Sequence, residues 1–315
     1  MFDIVTIGES MVVFNPTEIG PMRHCQTFRM QMAGAESNVA IGLARLGHSV
    51  SWCSRVGDDE FGKYIVNTLR AENVDVSMVR FDSDNRTGLM FKEERKKGLS
   101  NVYYYRNESA ASKLSEFDIQ RAWIRKARIL HLTGITPALS ESCRSAIFQA
   151  IKLAKEEGIP ISFDLNMRTK LWEKDIAVSV LTSIMKECHY FLPSYQEGVL
   201  LSGIDSVKEM AEYFYQHGPR VVVIKKGAEG SYLLDQDGGR WIPPFRVEQV
   251  MDSIGAGDAF AAGFLSGILN GSTNEEATRR GNLLGAYSVS VKGDWEGLPS
   301  EKELSQIFTV EDAIR

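Results

Sequence analysis

Residues 252–269 read DSIGAGDAFAAGFLSGIL, a glycine-rich turn followed by a run that is apolar nearly all round. A run without a polar face predicts a deeply buried helix. Glycines at positions 255 and 257 leave the first backbone N–H groups of that helix accessible, and such a terminus attracts anions, phosphates above all. Asp258 falls in the first turn, where an acid is also favourable for structural reasons alone. This segment by itself leaves both interpretations open.

Short apolar runs before this segment predict a mainly parallel β-sheet. Helical patterns at 37–46 and 140–157 lie between several of these runs. Continuously apolar strands that alternate with helices are typical of an α/β fold with a sheet covered on both faces. The predicted strands are 2–7, 49–54, 127–132, 159–163, 190–192, 221–224 and 231–234.

Two regions, 11–33 and 86–107, interrupt the alternation of strand and helix. The second carries two strand patterns on either side of the Lys-Lys-Gly sequence at 96–98, which indicates a hairpin. Such strands do not easily join a parallel sheet. We therefore expect one domain over residues 1–315, with a small β-sheet lid formed by these two insertions.

Composition and charge argue against several classes of protein. The 315 residues carry a net charge of −5, without the basic stripe of a nucleic-acid surface. No run reaches the roughly 18 apolar residues of a membrane span, and the N-terminus lacks the pattern of a signal peptide. Four cysteines without metal or disulfide spacing favour a reducing cytoplasm. They are Cys25, Cys53, Cys143 and Cys188.

A second glycine-containing stretch favours the functional interpretation of residues 252–258. Residues 33–62 read AGAESNVAIGLARLGHSVSWCSRVGDDEFG. Together, this stretch and residues 252–258 resemble the two signature regions of the ribokinase-like (PfkB-type) carbohydrate kinases, in the expected order and at the expected separation. The resemblance implies a ribokinase-like fold, ATP and Mg²⁺ as cofactors, and a monovalent cation such as K⁺ near the 252–254 loop.

The resemblance also implies catalytic roles. Asp258 matches the general base that takes a proton from the attacking hydroxyl, and Gly255, Ala256 and Gly257 match the anion hole that faces the transferred phosphoryl group. Phosphoryl transfer depends mainly on positioning and charge stabilisation, which such a pair of features would supply. The matching positions on the sugar side are Gly34 and Asn38.

A nucleotide-binding side is implied in the same way. Residues 221–230 resemble the strand and loop that contact the nucleotide, although locally they could equally be a solvated Lys-Lys turn. The family's Asn-x-x-Glu string appears here with Ser194 in place of Asn, and with Glu197 retained for an indirect role toward Mg²⁺. The nucleotide-side positions are Asn166, Arg168, Ser194, Lys225, Gly227, Gly230, Gly255, Gly257 and Asn282.

Three further strings resemble the 2-keto-3-deoxygluconate kinases of this family: YYYR at 103–106, DLNMRTKLW at 164–172 and GDWEGLP at 293–299. They imply phosphorylation of this sugar acid on its 6-hydroxyl. Planar guanidinium groups bind a carboxylate through parallel hydrogen bonds, whereas a neutral sugar would leave them without an anion. The implied substrate contacts are Tyr104, Tyr105, Arg106, Arg168 and Asp294.

Other interpretations of the substrate site stay open. Arg106 could be a solvated charge of the lid, and Arg168 could pair with a structural acid. Met90 stands where many such kinases carry a second lid tyrosine, so the preferred epimer is undecided. A fructokinase or ribokinase would apply the same chemistry to a neutral sugar, and a catalytically silent sugar-sensing scaffold would keep only the fold.

The lid strands predict a partner as well. Strands that stand away from the main sheet expose edges and apolar faces, which proteins usually cover or pair. We expect a homodimer or a higher homo-oligomer formed through the lid. The apolar residues concerned are Phe28, Met30, Phe91 and Tyr103.

Overall fold

The computed structural model describes residues 1–96, 99–247, 249–251, 254–291 and 293–306. Its strands are Phe2–Ile7 (β1), Met11–Pro16 (β2), Phe28–Ala33 (β3), Val50–Gly57 (β4), Asp75–Asp82 (β5), Leu89–Lys96 (β6), Leu99–Tyr105 (β7), Ala127–Thr133 (β8), Ile161–Asp164 (β9), Tyr190–Phe191 (β10), Val221–Lys225 (β11), Ser231–Asp235 (β12) and Gly238–Ile242 (β13). Its helices are Ala35–Arg45 (α1), Glu60–Ala71 (α2), Arg121–Ile124 (α3), Thr136–Leu139 (α4), Glu141–Glu156 (α5), Lys174–Met185 (α6), Tyr195–Ser202 (α7), Val207–Gln216 (α8), Ala256–Leu269 (α9) and Asn274–Ser288 (α10).

The larger sheet has nine strands in the order β13-β12-β11-β10-β9-β8-β1-β4-β5. From β11 to β5 all neighbours are parallel, as the apolar runs predict. The predicted strand at 231–234 is β12, which returns antiparallel to β11, and β13 pairs antiparallel with β12. The loop at 226–230 is too short for the crossover that a parallel neighbour requires.

Both faces of this sheet are covered, so the strands read as continuous apolar runs. Along β11, Val221 and Val223 belong to the core cluster that includes residues of α1, α2, α9 and α10, whereas Val222 and Ile224 belong to the cluster that includes residues of α5, α6, α7 and α8. The predicted buried helix is α9, whose residues from Asp258 to Gly267 are buried without a break. Within the described ranges, every helix is too short or too polar to traverse a lipid bilayer.

A separate four-stranded sheet, in the order β3-β2-β6-β7, arises from the two regions that interrupt the alternation. β2 pairs antiparallel with β3 and parallel with β6, and β6 pairs antiparallel with β7. One face carries Met11, Val13, Met90 and Val102 over the carboxyl end of the larger sheet. The hairpin is therefore present as predicted, although residues 97–98 of its turn lie outside the described residues.

Candidate active site

A cleft of about 1190 Å³ lies between the two sheets. The carboxyl ends of β9 and β11 and the N-terminus of α9 form its floor, and the small sheet forms one wall. Ligands of open parallel sheets bind outside the carboxyl ends of the strands, where this cleft lies. Its size is enough for a nucleotide and a sugar together.

The N-terminus of α9 opens onto this cleft. Gly255 precedes the helix with φ +81, in the left-handed region that glycine tolerates. A Cβ on Gly255 would lie 2.2 Å from the backbone oxygen of Asp294, so the close approach also requires glycine. Among the residues that the structure describes, no side chain caps the helix, and Gly255, Ala256 and Gly257 line the cleft. The three residues of the predicted anion hole therefore lie together at a helix N-terminus, where anions bind, and their role stays a prediction; Asp252 and Ser253 lie outside the described residues.

Asp258 is buried at the head of α9, with 7% of its surface exposed. Asn38 Nδ2 donates to Asp258 Oδ2 over 2.8 Å, and Asn166 Nδ2 lies 3.5 Å from Oδ1. Burial raises the pKa of Asp258 to about 8; the hydrogen bond from Asn38 opposes the rise and the charge of Asp164 adds to it. A carboxyl group whose pKa lies near neutral pH suits proton transfer.

Asp164 and Lys225 form a buried ion pair beside Asp258. Lys225 Nζ donates to both carboxylate oxygens of Asp164, over 2.8 and 2.9 Å. Burial raises the pKa of Asp164, and the charge of Lys225 opposes that rise. A Cβ on Gly257 would lie 3.5 Å from Lys225 Nζ, so the ammonium group is next to the anion hole.

Ser194 and Glu197 serve as a cap for α7. Ser194 Oγ donates to Glu197 Oε2 over 2.7 Å, and the Ser194 amide donates to the same oxygen over 2.9 Å. Glu197 Oε1 accepts from the amide of Met167 over 2.8 Å. Both oxygens of Glu197 thus hold the protein's own backbone, including the loop that carries Asn166 and Arg168. The expected indirect role toward Mg²⁺ stays a prediction.

The loops around β11 and β12 form the other end of the cleft. Gly227 and Gly230 line it with φ of +56 and +91, and a Cβ on Gly230 would lie 2.3 Å from the oxygen of Ile242. Asn282 joins these loops: it accepts from Ser231 Oγ over 2.6 Å and donates to the oxygen of Pro243 over 3.0 Å. The structure therefore places the predicted nucleotide-side glycines and Asn282 together.

Tyr104 of strand β7 and Arg106, directly after the strand, line the cleft, and the guanidinium group of Arg106 lies 5.8 Å from the ring of Tyr104. The prediction that Tyr105 also contacts substrate is wrong, because neighbouring residues of a strand point to opposite faces. Tyr105 is 64% exposed and packs edge-to-face on Phe91, with 5.6 Å between ring centroids, on the far face of the small sheet.

Arg106 is not a solvated charge of the lid, since only 10% of its side chain is exposed. Its Nη2 forms an ion pair with the fully buried Glu9 at the end of β1. Arg168 is exposed and lines the cleft, and its positive charge lowers the pKa of Asp258 and of Asp164. The two arginines thus lie in the same cleft, with Arg168 on the side of Asp258.

Asp294 lines the cleft beside Gly255 and is 9% exposed. Lys92 of β6 donates to Asp294 Oδ1 over 2.7 Å, and this contact joins the small sheet to the body of the molecule. Gly34 and Met90 also line the cleft at this end. A Cβ on Gly34 would lie 2.4 Å from the backbone oxygen of Glu9, so the strand ends approach too closely for any larger residue.

Sequence reasoning misses Glu9, Lys92 and Asp164 as residues of the site. Glu9 and Asp164 each stand at the carboxyl end of a buried strand, which is a position that could have drawn attention to them. Lys92 gives no such signal, because its partner lies at the far end of the chain. Among the described residues, no group of three or more histidine, cysteine, aspartate and glutamate side chains could hold a metal ion.

The fold and the site together have the layout of an enzyme that transfers a phosphoryl group to a sugar hydroxyl. Residues 1–301 match the model of the pfkB family of carbohydrate kinases. The chain therefore belongs to the pfkB family of carbohydrate kinases, and it is a sugar kinase that binds ATP. This confirms the ribokinase-like resemblance and the predicted fold class.

Individual relatives cover nearly the whole chain. A 2-dehydro-3-deoxygluconokinase of Bacillus subtilis is 39% identical over 99% of this chain and 97% of its own length. Fructokinase-1 of rice is 32% identical over 97% of both chains. The crystal structure of a PfkB protein from Polaromonas is 37% identical and superposes with a TM-score of 0.90 over 97% of this chain and 99% of its own.

Proposed function

We propose that this chain is a 2-keto-3-deoxygluconate kinase, which converts the sugar acid and ATP to 2-keto-3-deoxy-6-phosphogluconate and ADP. The observation that supports this substrate is Arg106, a buried arginine in the wall of the cleft. A substrate carboxylate matches the N–H donors of Arg106 that its ion pair with Glu9 leaves over, whereas a neutral sugar has no anionic group to offer them. The similarity to the Bacillus subtilis 2-dehydro-3-deoxygluconokinase favours the same substrate.

In the proposed reaction the 6-hydroxyl lies between Asp258 and the N-terminus of α9. Asp258 accepts the hydroxyl proton while the oxygen forms a bond to the γ-phosphorus and the bond to the β-phosphate oxygen breaks. The amides from Gly255 to Gly257 stabilise negative charge on the transferred group, and Lys225 lies close enough to assist. The carboxylate end of the substrate then lies toward the small sheet, at Arg106, with Tyr104 and Asp294 between.

The nucleotide would occupy the end of the cleft formed by Gly227, Gly230 and Asn282. Kinases of this family use ATP with Mg²⁺. Because the two oxygens of Glu197 are engaged with backbone donors, we propose that Mg²⁺ is held mainly by the ATP phosphates and by water, which is its usual preference. The proposed monovalent-cation site at 252–254 includes residues outside the described part of the chain.

Two other functions compete with this proposal. In a fructokinase, such as the rice relative, or in a ribokinase, the donors of Arg106 that its ion pair with Glu9 leaves over would meet no substrate carboxylate. A silent sugar-binding scaffold would not need a carboxyl group with a pKa near 8 at an uncapped helix N-terminus. The donors of Arg106 favour a sugar acid as substrate, and the carboxyl group of Asp258 favours catalysis.

Phosphorus NMR of the product tests the proposal. Incubation with 2-keto-3-deoxygluconate, ATP and Mg²⁺ should give one new phosphomonoester signal, split by the two protons of a primary carbon. A product phosphorylated on a secondary hydroxyl would contradict the 6-hydroxyl assignment. No product from the sugar acid, together with turnover of fructose under the same conditions, would favour the fructokinase.

The raised pKa of Asp258 predicts the pH dependence of the reaction. Only the ionised carboxylate accepts a proton, and with a pKa of about 8 its ionised fraction rises tenfold per pH unit at lower pH. We therefore expect kcat/KM for the sugar to rise tenfold per unit up to about pH 8 and then to level off. Stopped assays at constant ionic strength measure this, and a profile that is flat from about pH 6 to 8 would contradict it.

We also propose that two copies associate through the far face of the small sheet. That face is apolar and partly exposed: Met30 and Tyr103 are each 41% exposed and Tyr105 is 64% exposed. Phe91 forms its centre, stacked on Phe14 with 4.9 Å between ring centroids. Exposed apolar sheet faces of this kind are typical of interfaces.

Tyr105→Lys should therefore shift the protein from dimer toward monomer, since it places a charge in the proposed interface. Light scattering at micromolar concentration measures the mass of both forms. Phe117→Lys is the matched control, because Phe117 is 80% exposed elsewhere on the surface. A wild-type protein that is monomeric under these conditions, or a Tyr105→Lys variant with the wild-type mass, would contradict the proposed interface.

A further inference from the structure

Four chain segments connect the small sheet to the rest of the molecule, and Glu9 touches all of them. It belongs to the segment between β1 and β2. A Cβ on Gly34, in the second segment, would lie 2.4 Å from the Glu9 backbone oxygen, and one on Gly88, in the third, 2.8 Å from Glu9 Oε1. In the fourth segment Ser109 donates to Glu9 Oε1 and Arg106 forms the ion pair.

Burying the ion pair of Glu9 and Arg106 costs free energy, because both charges leave water. The Glu9 side chain is fully buried and that of Arg106 is 10% exposed, while Arg106 Nε is buried without a hydrogen-bond partner in the described part of the chain. Removing two charges from water costs several kcal/mol, and a buried ion pair is seldom more stable than an apolar pair of the same size. Stability alone therefore does not account for this pair in the wall of a substrate cleft.

We propose that Glu9 is a positioning residue for the substrate carboxylate. Its ion pair with Arg106 Nη2 fixes the plane of the guanidinium group, so that the donors of Nη1 and the second donor of Nη2 are left for a carboxylate in the cleft. A guanidinium group has five N–H donors in a rigid plane, and one anchored side sets the direction of the others. This inference rests on the proposed function, in which Arg106 binds the carboxylate of the sugar acid.

The hydrogen bonds of Glu36, a second buried acid of this region, support the proposal. Glu36 is fully buried, accepts from the hydroxyls of Thr133 and Thr136 over 2.6 and 2.7 Å, and has its pKa raised by burial. Glu36 is thus held by these two threonine hydroxyls, and of the two acids it is Glu9 that forms the ion pair with Arg106.

The test is a set of Glu9 variants assayed with 2-keto-3-deoxygluconate. Glu9→Ala should raise KM about tenfold, within the range of coupling between neighbouring side chains, and change kcat less. Glu9→Asp keeps the negative charge but shortens the side chain, so that the carboxylate lies farther from Arg106. KM should therefore rise about threefold or more. Glu9→Gln keeps the length and an acceptor oxygen, so KM should stay within about threefold of wild type.

Coupling to Arg106 separates a positioning role from a structural one. In an Arg106→Ala background, Glu9→Ala should change KM less than twofold, because the group it positions is absent. Asp118→Ala removes another buried acid, paired with Arg55 and Arg80 outside the cleft, and should lower the melting temperature without changing KM.

If Glu9→Ala does not fold, the Asp and Gln variants decide between position and charge. The proposal would be overturned by a wild-type or lower KM in Glu9→Asp, by a Gln variant as impaired as the Asp variant, or by equal effects of Glu9→Ala with and without Arg106. Failure of the proposed function looks different: Arg106→Ala alone would then leave KM for the sugar acid unchanged.

Discussion

Asp258→Asn should lower kcat by about 10²- to 10⁴-fold, the usual contribution of a general base. The carboxyl group is buried at the head of α9, is held by Asn38 over 2.8 Å, and has a pKa of about 8. The amide of Asn fills the same space and can still accept from Asn38, but it cannot take the proton of the attacking hydroxyl. Coupled assays of ADP release under saturating ATP measure the loss.

The same variant should not be less stable than wild type. Because the pKa of Asp258 is higher in the folded protein than its ordinary value of 3.8, the folded state holds a proton that the unfolded state has released between about pH 4 and 8. The free energy of unfolding of wild type therefore falls as pH rises through this window, and Asp258→Asn removes that fall. Thermal unfolding and ATP binding check that the fold is retained.

A control separates this effect from a general loss of charge. Asp84→Asn changes an exposed aspartate in the loop before β6 and should keep wild-type kcat. A variant of Asp258 that retains kcat within about threefold of wild type would exclude this residue as the base. Loss of ATP binding together with loss of turnover would instead indicate damage to the end of the cleft where the nucleotide is proposed to bind.

Arg106→Ala should raise KM for 2-keto-3-deoxygluconate by roughly 10- to 150-fold, since a charge-assisted hydrogen bond contributes about 1.5–3 kcal/mol. The same substitution should barely affect any residual turnover of fructose, which has no carboxylate. It also leaves Glu9 as a buried acid without its ion-pair partner, so some loss of stability is expected. Initial rates with both sugars measure the difference.

Arg95→Ala is the matched control, because Arg95 lies on the same small sheet, is 41% exposed and pairs with Glu93 away from the cleft. It should leave KM for both sugars unchanged. Equal losses on the sugar acid and on fructose in Arg106→Ala would contradict the carboxylate assignment, while the membership of the kinase family would stand. The comparison between two sugars in one variant removes any effect of stability on enzyme concentration.

Much of the fold could be predicted from local pattern. The run at 256–269 is apolar nearly all round, and α9 is buried without a break from Asp258 to Gly267 as that pattern predicts. The strands that the pattern misses, β5 and β13, are the two edges of the larger sheet, where one side of each strand has no partner strand. Edge strands carry more polar residues, so they lack the continuous apolar run of the central ones.

Side-chain direction was less predictable than position. Tyr104, Tyr105 and Arg106 are adjacent in sequence, but the alternation of strand β7 sends Tyr105 to the far face. The pairs that complete the site, Glu9 with Arg106 and Lys92 with Asp294, join residues far apart in the chain. Only the folded arrangement brings them together, so no local pattern could have indicated them.

The most direct measurement is the specificity constant of the wild-type enzyme for a panel of sugars in one coupled ATP assay. The panel holds 2-keto-3-deoxygluconate, its galactonate epimer, fructose and ribose. We expect kcat/KM for the sugar acids to exceed that for either neutral sugar by at least about tenfold, the lower limit for one lost charge-assisted contact. A higher kcat/KM for fructose or ribose than for both sugar acids would contradict the proposed function.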